Sequence, residues 1–207
     1  MRAQLAAIAL CLVLVPLSAS ARFHLWQITE IYSNADGSVQ FVELFNNADL
    51  EDLLAGHNLT STANTYMLPH NLSTTSTTNH FLLIATAAFQ QQPGCTNVAP
   101  DFTTPDPFLP ANFMSTAGPD TINFAAVNTF SYVAGELPTD GVHSLNEPFN
   151  SNTRTTAVNS PTNFAGNTCS LPEPSSWLGQ LAGAAGVLAL ARRRRSATRT
   201  TRVRGSG

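Results

Sequence analysis

Two groups of side chains in the sequence have residue types that could do chemistry. Glu30 and Glu43 lie on the two arms of a predicted hairpin and could face each other as a carboxylate pair. Like charges directly opposite each other destabilise a sheet, so such a pair requires either a bound cation, such as Ca²⁺, or opposite faces. Asp140, His143 and Ser144 are the residue types of a nucleophilic triad. Residues so close in one loop rarely reach triad geometry, and we interpret this loop as a turn.

The sequence lacks the familiar motifs of catalytic and cofactor sites. It contains no H-E-x-x-H, no G-x-S-x-G, no P-loop and no G-x-G-x-x-G. Its cysteines lack the C-x-x-C spacing of zinc and dithiol sites. We therefore predict a non-enzymatic protein with no catalytic residues, no metal and no cofactor. The alternative is a secreted hydrolase with an unfamiliar site, which should show a deep pocket with convergent titratable groups. An adhesion module should instead show a flat or loop-built face.

Short strands separated by turn residues must position these side chains. The first strand, residues 27–32, is predicted to place Ile28, Glu30 and Tyr32 on one face. The second, residues 38–45, is predicted to place Val39, Phe41, Glu43 and Phe45 on one face and Val42 and Leu44 on the other. It is apolar on both faces, as a central strand of a sandwich would be, and Asp36-Gly37 favours a hairpin turn before it. Further strands are predicted at residues 80–86, 120–127 and 129–135. The pattern predicts an all-β, antiparallel β-sandwich over residues 22–145.

The stretch from 146 to 170 is polar and has little periodicity. It is predicted to be a linker or an extended tail packed on the domain, with Phe149 and Phe164 available to hold it down.

The N-terminus has the three parts of a secretory signal peptide. Met1-Arg2 is a short positive region, Leu5 to Val15 is an apolar run, and Ala19-Ser20-Ala21 is an A-x-A cleavage site. This pattern predicts that residues 1–21 are removed, with the Sec translocon and signal peptidase as partners. The alternative is a retained N-terminal anchor, although the apolar run is short for a bilayer.

Three cysteines occur, and Cys11 leaves with the signal peptide. Cys95 and Cys169 remain as an even pair in an oxidising compartment, which favours a disulfide over two unpaired thiols. A bridge across a loop of this length stabilises a protein by about 4 kcal/mol in the loop-entropy model.

Charge is distributed in blocks. Residues 23–171 carry twelve acidic residues and one basic residue, Arg154, a net charge of −11. Residues 172–207 contain one acidic residue, Glu173, and seven arginines. A domain this acidic repels phosphate backbones, so nucleic acid is excluded as a partner.

The strand-rich region resembles the lamin-tail family. The family pattern has an I-x-E-I strand, a turn, an F-[IV]-E-L-x-N strand, a D-L-x-G-x-x-L corner, an aromatic followed by a proline, and a V-L-I-A-type strand. These elements correspond in order to residues 28–31, 41–46, 53–59, 66–69 and 82–85. His57 stands where the family usually has a tryptophan. The resemblance implies an immunoglobulin-like sandwich used for adhesion or protein contact on bacterial surface proteins.

The C-terminus resembles the PEP-CTERM sorting signal, which is predicted over residues 171–195. It presents the motif Pro172, Glu173 and Pro174, then a hydrophobic segment to Ala191, and the chain closes with a basic tail over 196–207. Between the segment and the tail lies a basic stop cluster of four consecutive arginines: Arg192, Arg193, Arg194 and Arg195. The apolar segment from Trp177 is about 22 Å long as a helix, short of a roughly 30 Å hydrocarbon core. The four arginines stay cytoplasmic by the positive-inside rule.

This second resemblance implies recognition and cleavage by an exosortase-type transpeptidase in a Gram-negative bacterium that makes exopolysaccharide or biofilm. The expected protein is transiently anchored in the inner membrane through its C-terminal transmembrane helix and then secreted or displayed at the cell surface. There it acts as a non-catalytic module that binds extracellular polysaccharide or protein. The alternative is a permanently anchored type I membrane protein, whose C-terminal helix survives in the mature form.

Overall fold

The computed structural model describes residues 23–103 and 105–171. The predicted signal peptide with its cleavage residues Ala19 and Ala21 lies outside the described residues. So does the whole predicted sorting signal after Leu171. This comprises the motif Pro172, Glu173 and Pro174, the C-terminal helix, and the basic stop cluster Arg192, Arg193, Arg194 and Arg195. Among residues 23–103 and 105–171, the structure contains no helix that could span a membrane.

The described residues form nine strands and one short 3-10 helix at Ala87–Gln91. The strands are β1 (Gln27–Ser33), β2 (Gln40–Asn46), β3 (Asn58–Thr60), β4 (Thr65–Met67), β5 (His80–Ala85), β6 (Asp120–Phe124), β7 (Asn128–Tyr132), β8 (His143–Asn146) and β9 (Thr155–Val158). They pair antiparallel in a five-stranded sheet of order β5-β2-β1-β8-β9 and a four-stranded sheet of order β4-β3-β6-β7. The predicted all-β, antiparallel architecture is confirmed.

The main core lies between the two sheets. Ile31 and Leu44 from the five-stranded sheet are fully buried in one cluster with Leu59, Phe124 and Phe130 from the four-stranded sheet. Burial of an aliphatic or aromatic side chain contributes about 1.5–3 kcal/mol, so this cluster holds the two sheets face to face.

The five strands predicted from sequence correspond to β1, β2, β5, β6 and β7, and β2 is central in its sheet as predicted. The strands predicted at 120–127 and 129–135 are longer than β6 and β7. β6 ends at Phe124 because Ala125 and Ala126 adopt positive φ angles of 50° and 59° and turn the chain into β7. The pattern also missed β3, β4, β8 and β9, each only three or four residues long and too short to show a period.

The first hairpin turns where predicted. Gly37 adopts a φ of 70°, and its amide donates to the Asn34 carbonyl oxygen. The positive φ favours glycine at this position, and a Cβ there would also have to displace Oδ1 of Asn112, which would lie 2.2 Å away.

Residues 146–170, predicted as a linker or a packed tail, lie against the domain. They contain β9, which pairs with β8, and their last part crosses the outer face of the five-stranded sheet. We call residues 159–171 the strap. Cys169 near its end is bonded to Cys95, which gives the predicted disulfide across 74 residues. The segment is therefore part of the folded unit and not a free linker.

Candidate functional site

The outer face of the five-stranded sheet, turned away from the four-stranded sheet, holds the most unusual chemistry of the described residues. On β2, Val42 and Leu44 enter the main core, whereas Phe41, Glu43 and Phe45 face outward, as the alternation predicted. Glu43 pairs directly with Glu30 of β1. The two acids are therefore neighbours on one face.

A bulge in β1 creates this arrangement. The register between β1 and β2 shifts between Ile28 and Glu30, so Thr29 is an extra residue on its strand. The extra residue reverses the alternation, which sends Ile28 into the main core and Glu30 to the outer face. The sequence-based prediction that Ile28 and Glu30 share a face was therefore wrong. The predicted carboxylate pair forms, and the alternative of opposite faces is excluded.

The strap holds the carboxylate pair, Glu30 and Glu43. The Ser160 amide donates to Oε1 of Glu30 at 2.9 Å, and the Ser160 hydroxyl donates to Oε2 at 3.2 Å. The Thr162 amide donates to Oε2 of Glu43 at 2.7 Å, and the Thr29 hydroxyl donates to Oε1 at 3.3 Å. Each of the four carboxylate oxygens therefore accepts a hydrogen bond, which lowers the cost of burying two acids side by side.

Burial dominates the electrostatics of the pair. Glu30 is 2 % exposed and Glu43 is 4 % exposed. Desolvation raises the pKa of Glu30 above its usual value, against hydrogen bonds from Ser144 and Ser160. Desolvation and the neighbouring Glu30 charge raise the pKa of Glu43 well above its usual range, against the hydrogen bonds from Thr162 and Thr29. The pair therefore holds protons more tightly than carboxyl groups in water.

Beside the pair, the sheet surface is aromatic. The half-buried rings of Phe45 and Phe81 lie 4.9 Å apart between centroids, and Phe149 meets Phe45 edge-on at 5.1 Å. With the carboxylate pair they line an open pocket of about 330 Å³. We call it the aromatic pocket, and it is completed by Thr29, Asn146, Pro148 and Ser160. Its size lies at the lower end of the range for small-ligand sites.

No positive side chain pairs with these acids among residues 23–103 and 105–171. The ion pairs of that part of the chain join His24 to Glu51, His70 to Asp106, His143 to Asp140, and Arg154 to Glu136 and Glu147. Arg154 is the one arginine of that region, which has no lysine, and it also lies over the Phe130 ring. Within the described part of the chain, the carboxylate pair thus relies on hydrogen bonds.

A third acid fixes the far end of the strap. Asp101 accepts the Leu83 amide at 2.7 Å and the Phe164 amide at 3.0 and 3.1 Å, while the Phe164 ring stacks on His80 at 4.2 Å. Burial raises the pKa of Asp101 to about 6. Asp101 therefore joins the edge of β5 to the strap, a role that its isolated position in a proline-rich loop did not indicate.

The three triad candidates, Asp140, His143 and Ser144, do not form a catalytic triad. His143 Nδ1 lies 2.6 Å from Asp140 Oδ2, in an exposed turn. Ser144 is the next residue of β8 and is fully buried on the outer face, where its hydroxyl accepts a hydrogen bond from Asn146. Successive residues of a strand point to opposite faces, so His143 cannot activate Ser144.

The described residues contain no group of three or more His, Cys, Asp and Glu side chains placed to hold a metal ion. Comparisons with protein-family models, with curated proteins and with solved structures found no match.

Proposed function

We propose that this chain is an exported bacterial protein of the cell surface or extracellular matrix that binds its target without catalysis. The aromatic pocket carries the binding part of the proposal, because it is concave, has a mainly apolar surface with three aromatic rings, and is supplied with a few convergent polar groups. The acidic character of residues 23–171 makes a nucleic-acid target unfavourable.

The disulfide supports export. A structural bridge such as Cys95–Cys169 persists in oxidising compartments and is rare where thiols are kept reduced. Cys95 and Cys169 lie in the smaller core on the outer face, formed with Phe41, Phe89 and Leu171. The bridge therefore stabilises the same face that carries the pocket.

The strand order supports an immunoglobulin-like sandwich of the lamin-tail type. The order β1-β2-β5 corresponds to strands A, B and E of an immunoglobulin sandwich, and β4-β3-β6-β7 corresponds to C′, C, F and G. The β8–β9 hairpin then extends the first sheet beyond strand A. In this proposal, the sandwich serves adhesion or protein contact, and the strap and the aromatic pocket are additions to the sandwich.

The end of the strap supports the sorting part of the proposal. Asn159 accepts the Leu171 amide at 2.6 Å and Leu171 is buried, so the chain is fixed up to the residue before Pro172. An exosortase would meet the Pro172–Pro174 motif just outside a folded domain. Cleavage there would leave every described strand and the disulfide intact.

A secreted hydrolase is the second candidate, and the carboxylate pair in a pocket is the observation that favours it. Glycosidases use two carboxyl groups that flank the bond to be cleaved. Glu30 and Glu43 instead lie side by side, and all four of their oxygens accept hydrogen bonds from the protein. This arrangement favours a fixed polar surface at the base of the pocket over a glycosidase pair made of a general acid and a nucleophile. We therefore retain the binding function.

Mass spectrometry of the mature protein from its native host tests export and sorting. The expected mass lacks residues 1–21 and everything beyond the Pro172 to Pro174 region. A mass that retains the C-terminal helix would replace sorting with a permanent type I anchor. Neutral replacements of all four arginines of the basic stop cluster, from Arg192 to Arg195, should impair processing and leave the disulfide-bonded domain folded.

A further inference from the structure

We infer that the aromatic pocket binds a sugar ring that carries a protonated amine, an amino-sugar unit of an extracellular polysaccharide. This inference rests on the proposed function and names the chemical class of its target. Three features carry it: the ring walls, the uncompensated acidic floor and the charge of the surrounding domain.

The walls favour a ring-shaped ligand. Three half-buried rings form the walls: those of Phe45, Phe81 and Phe149. The Phe45 ring is parallel to neither neighbour, because its plane meets that of Phe81 at 55° and that of Phe149 at 73°. The three rings therefore line an open apolar surface and leave ring faces or edges in the pocket. A sugar ring presents apolar C–H surfaces to such walls and hydroxyl groups to the polar floor.

The floor favours a positive charge. A carboxylate has about four acceptor positions, and neither Glu30 nor Glu43 uses all of them for its partners in the strap and the sheet. Additional donors can therefore bind. Because no cationic side chain pairs with either acid among residues 23–103 and 105–171, an ammonium group would supply the missing countercharge, in place of a proton that the pair holds when the pocket is empty.

The surroundings strengthen this preference. Residues 23–171 carry a net charge of −11, and a cleft of one charge sign with low-dielectric walls focuses its potential on the ligand. The phenyl rings add attraction for a cation close to their faces. A neutral sugar gains only the ring contacts and uncharged hydrogen bonds, and an anionic sugar is repelled.

Calorimetry with two matched oligosaccharides tests the inference. The purified full-length protein is titrated at pH 6 with a fully deacetylated glucosamine oligomer and with the fully N-acetylated oligomer of equal length. The deacetylated oligomer should bind at least about tenfold more tightly, as expected for a charge-assisted contact. Its affinity should fall as NaCl is raised, whereas that of the N-acetylated oligomer should not.

Three variants locate the binding. Phe149→Ala should weaken binding of the deacetylated oligomer several-fold, and its half-exposed position should leave the fold intact. Glu43→Gln should remove most of the preference for the deacetylated oligomer. Asp106→Asn is the matched control for overall charge, since Asp106 pairs with His70 and does not line the pocket. It should bind like the unmodified protein.

Equal binding of the two oligomers, or no binding of either, would overturn the inference. So would an equal loss of affinity in Asp106→Asn and Glu43→Gln. A lysine oligomer of the same charge that binds as tightly would replace the amino sugar with a peptide ligand. Each of these results is independent of the mature mass, so the ligand class and the sorting proposal can fail separately.

Discussion

The two faces of strands β1 and β2 are both buried, but they are buried in different ways. On the inner face, Ile31 and Leu44 pack against the four-stranded sheet through apolar contacts alone. On the outer face, Glu30 and Glu43 lie under the strap, held by hydrogen bonds, and a disulfide closes the small core beside them. The inner face therefore depends on hydrophobic burial, which has no directional requirement. The outer face depends on specific partners from distant parts of the chain, and it is the face that leaves a pocket.

The largest loss of stability should follow removal of the disulfide. Replacing Cys95 and Cys169 together with alanine removes a link across 74 residues and should lower the free energy of unfolding by about 4 kcal/mol. Urea unfolding at neutral pH measures it. If the double variant were as stable as the unmodified protein, the strap would contribute little to the outer face.

Truncating one leucine on each face compares their packing. Leu44→Ala on the inner face and Leu83→Ala in the outer small core both remove fully buried side chains, and each should cost about 3 kcal/mol. In the disulfide-free background, the cost of Leu83→Ala should shrink, whereas that of Leu44→Ala should not. An unchanged cost for Leu83→Ala would show that the small core packs without the disulfide.

The acids of the outer face should make the protein less stable as the pH rises. Their folded pKa values are raised, so the folded state binds more protons than the unfolded state above about pH 4. Asp101, with a pKa of about 6 against its usual 3.8, should contribute a loss of up to about 3 kcal/mol, most of it between pH 4 and 7. Glu30 and Glu43 should add to this decline, because burial raises their pKa values too.

Glu43→Gln should therefore make the decline smaller and leave the contribution of Asp101 in place. Urea unfolding at several pH values from 4 to 8 measures the profile. The acids with lowered pKa values, including Asp49 and Asp120, act below their usual 3.8 and do not affect this window. Stability that rises from pH 4 to 7 would contradict the burial of the carboxylate pair.

The smallest loss of stability should follow replacement of Arg154, which lies outside both of these faces. It is partly exposed and pairs with Glu136 at 3.3 Å and Glu147 at 2.9 Å. Because exposed ion pairs contribute little, Arg154→Gln should lower the free energy of unfolding by less than about 1 kcal/mol, also at low salt. A larger loss would mean that charge pairing matters as much as the strap.

Sequence patterns predicted the inner face better than the outer face. The alternation in β2 assigned Val42, Glu43 and Leu44 to the correct faces, because β2 is regular and central. The same reasoning failed in β1, where the Thr29 bulge depends on pairing with β2 and leaves no local signal. The disulfide could be predicted because two cysteines allow only one pairing.

The covering of the outer face could not be predicted from local sequence. Ser160 and Glu30 are 130 residues apart, and the strap has neither periodicity nor an apolar stripe that would reveal where it packs. Phe81 and Phe149 likewise come together only through β5 and the segment after β8. The carboxylate pair was therefore predictable as a possibility, whereas its partners and its pocket were not.

Amide hydrogen exchange at Ser160 and Thr162 tests most directly whether the strap closes the outer face over the carboxylate pair. Both amides donate to buried carboxylates, so they should exchange as slowly as amides of the β1–β2 ladder and speed up when the Cys95–Cys169 bridge is reduced. Exchange as fast as in an unstructured chain, with the disulfide intact, would contradict a closed outer face and remove the floor of the aromatic pocket.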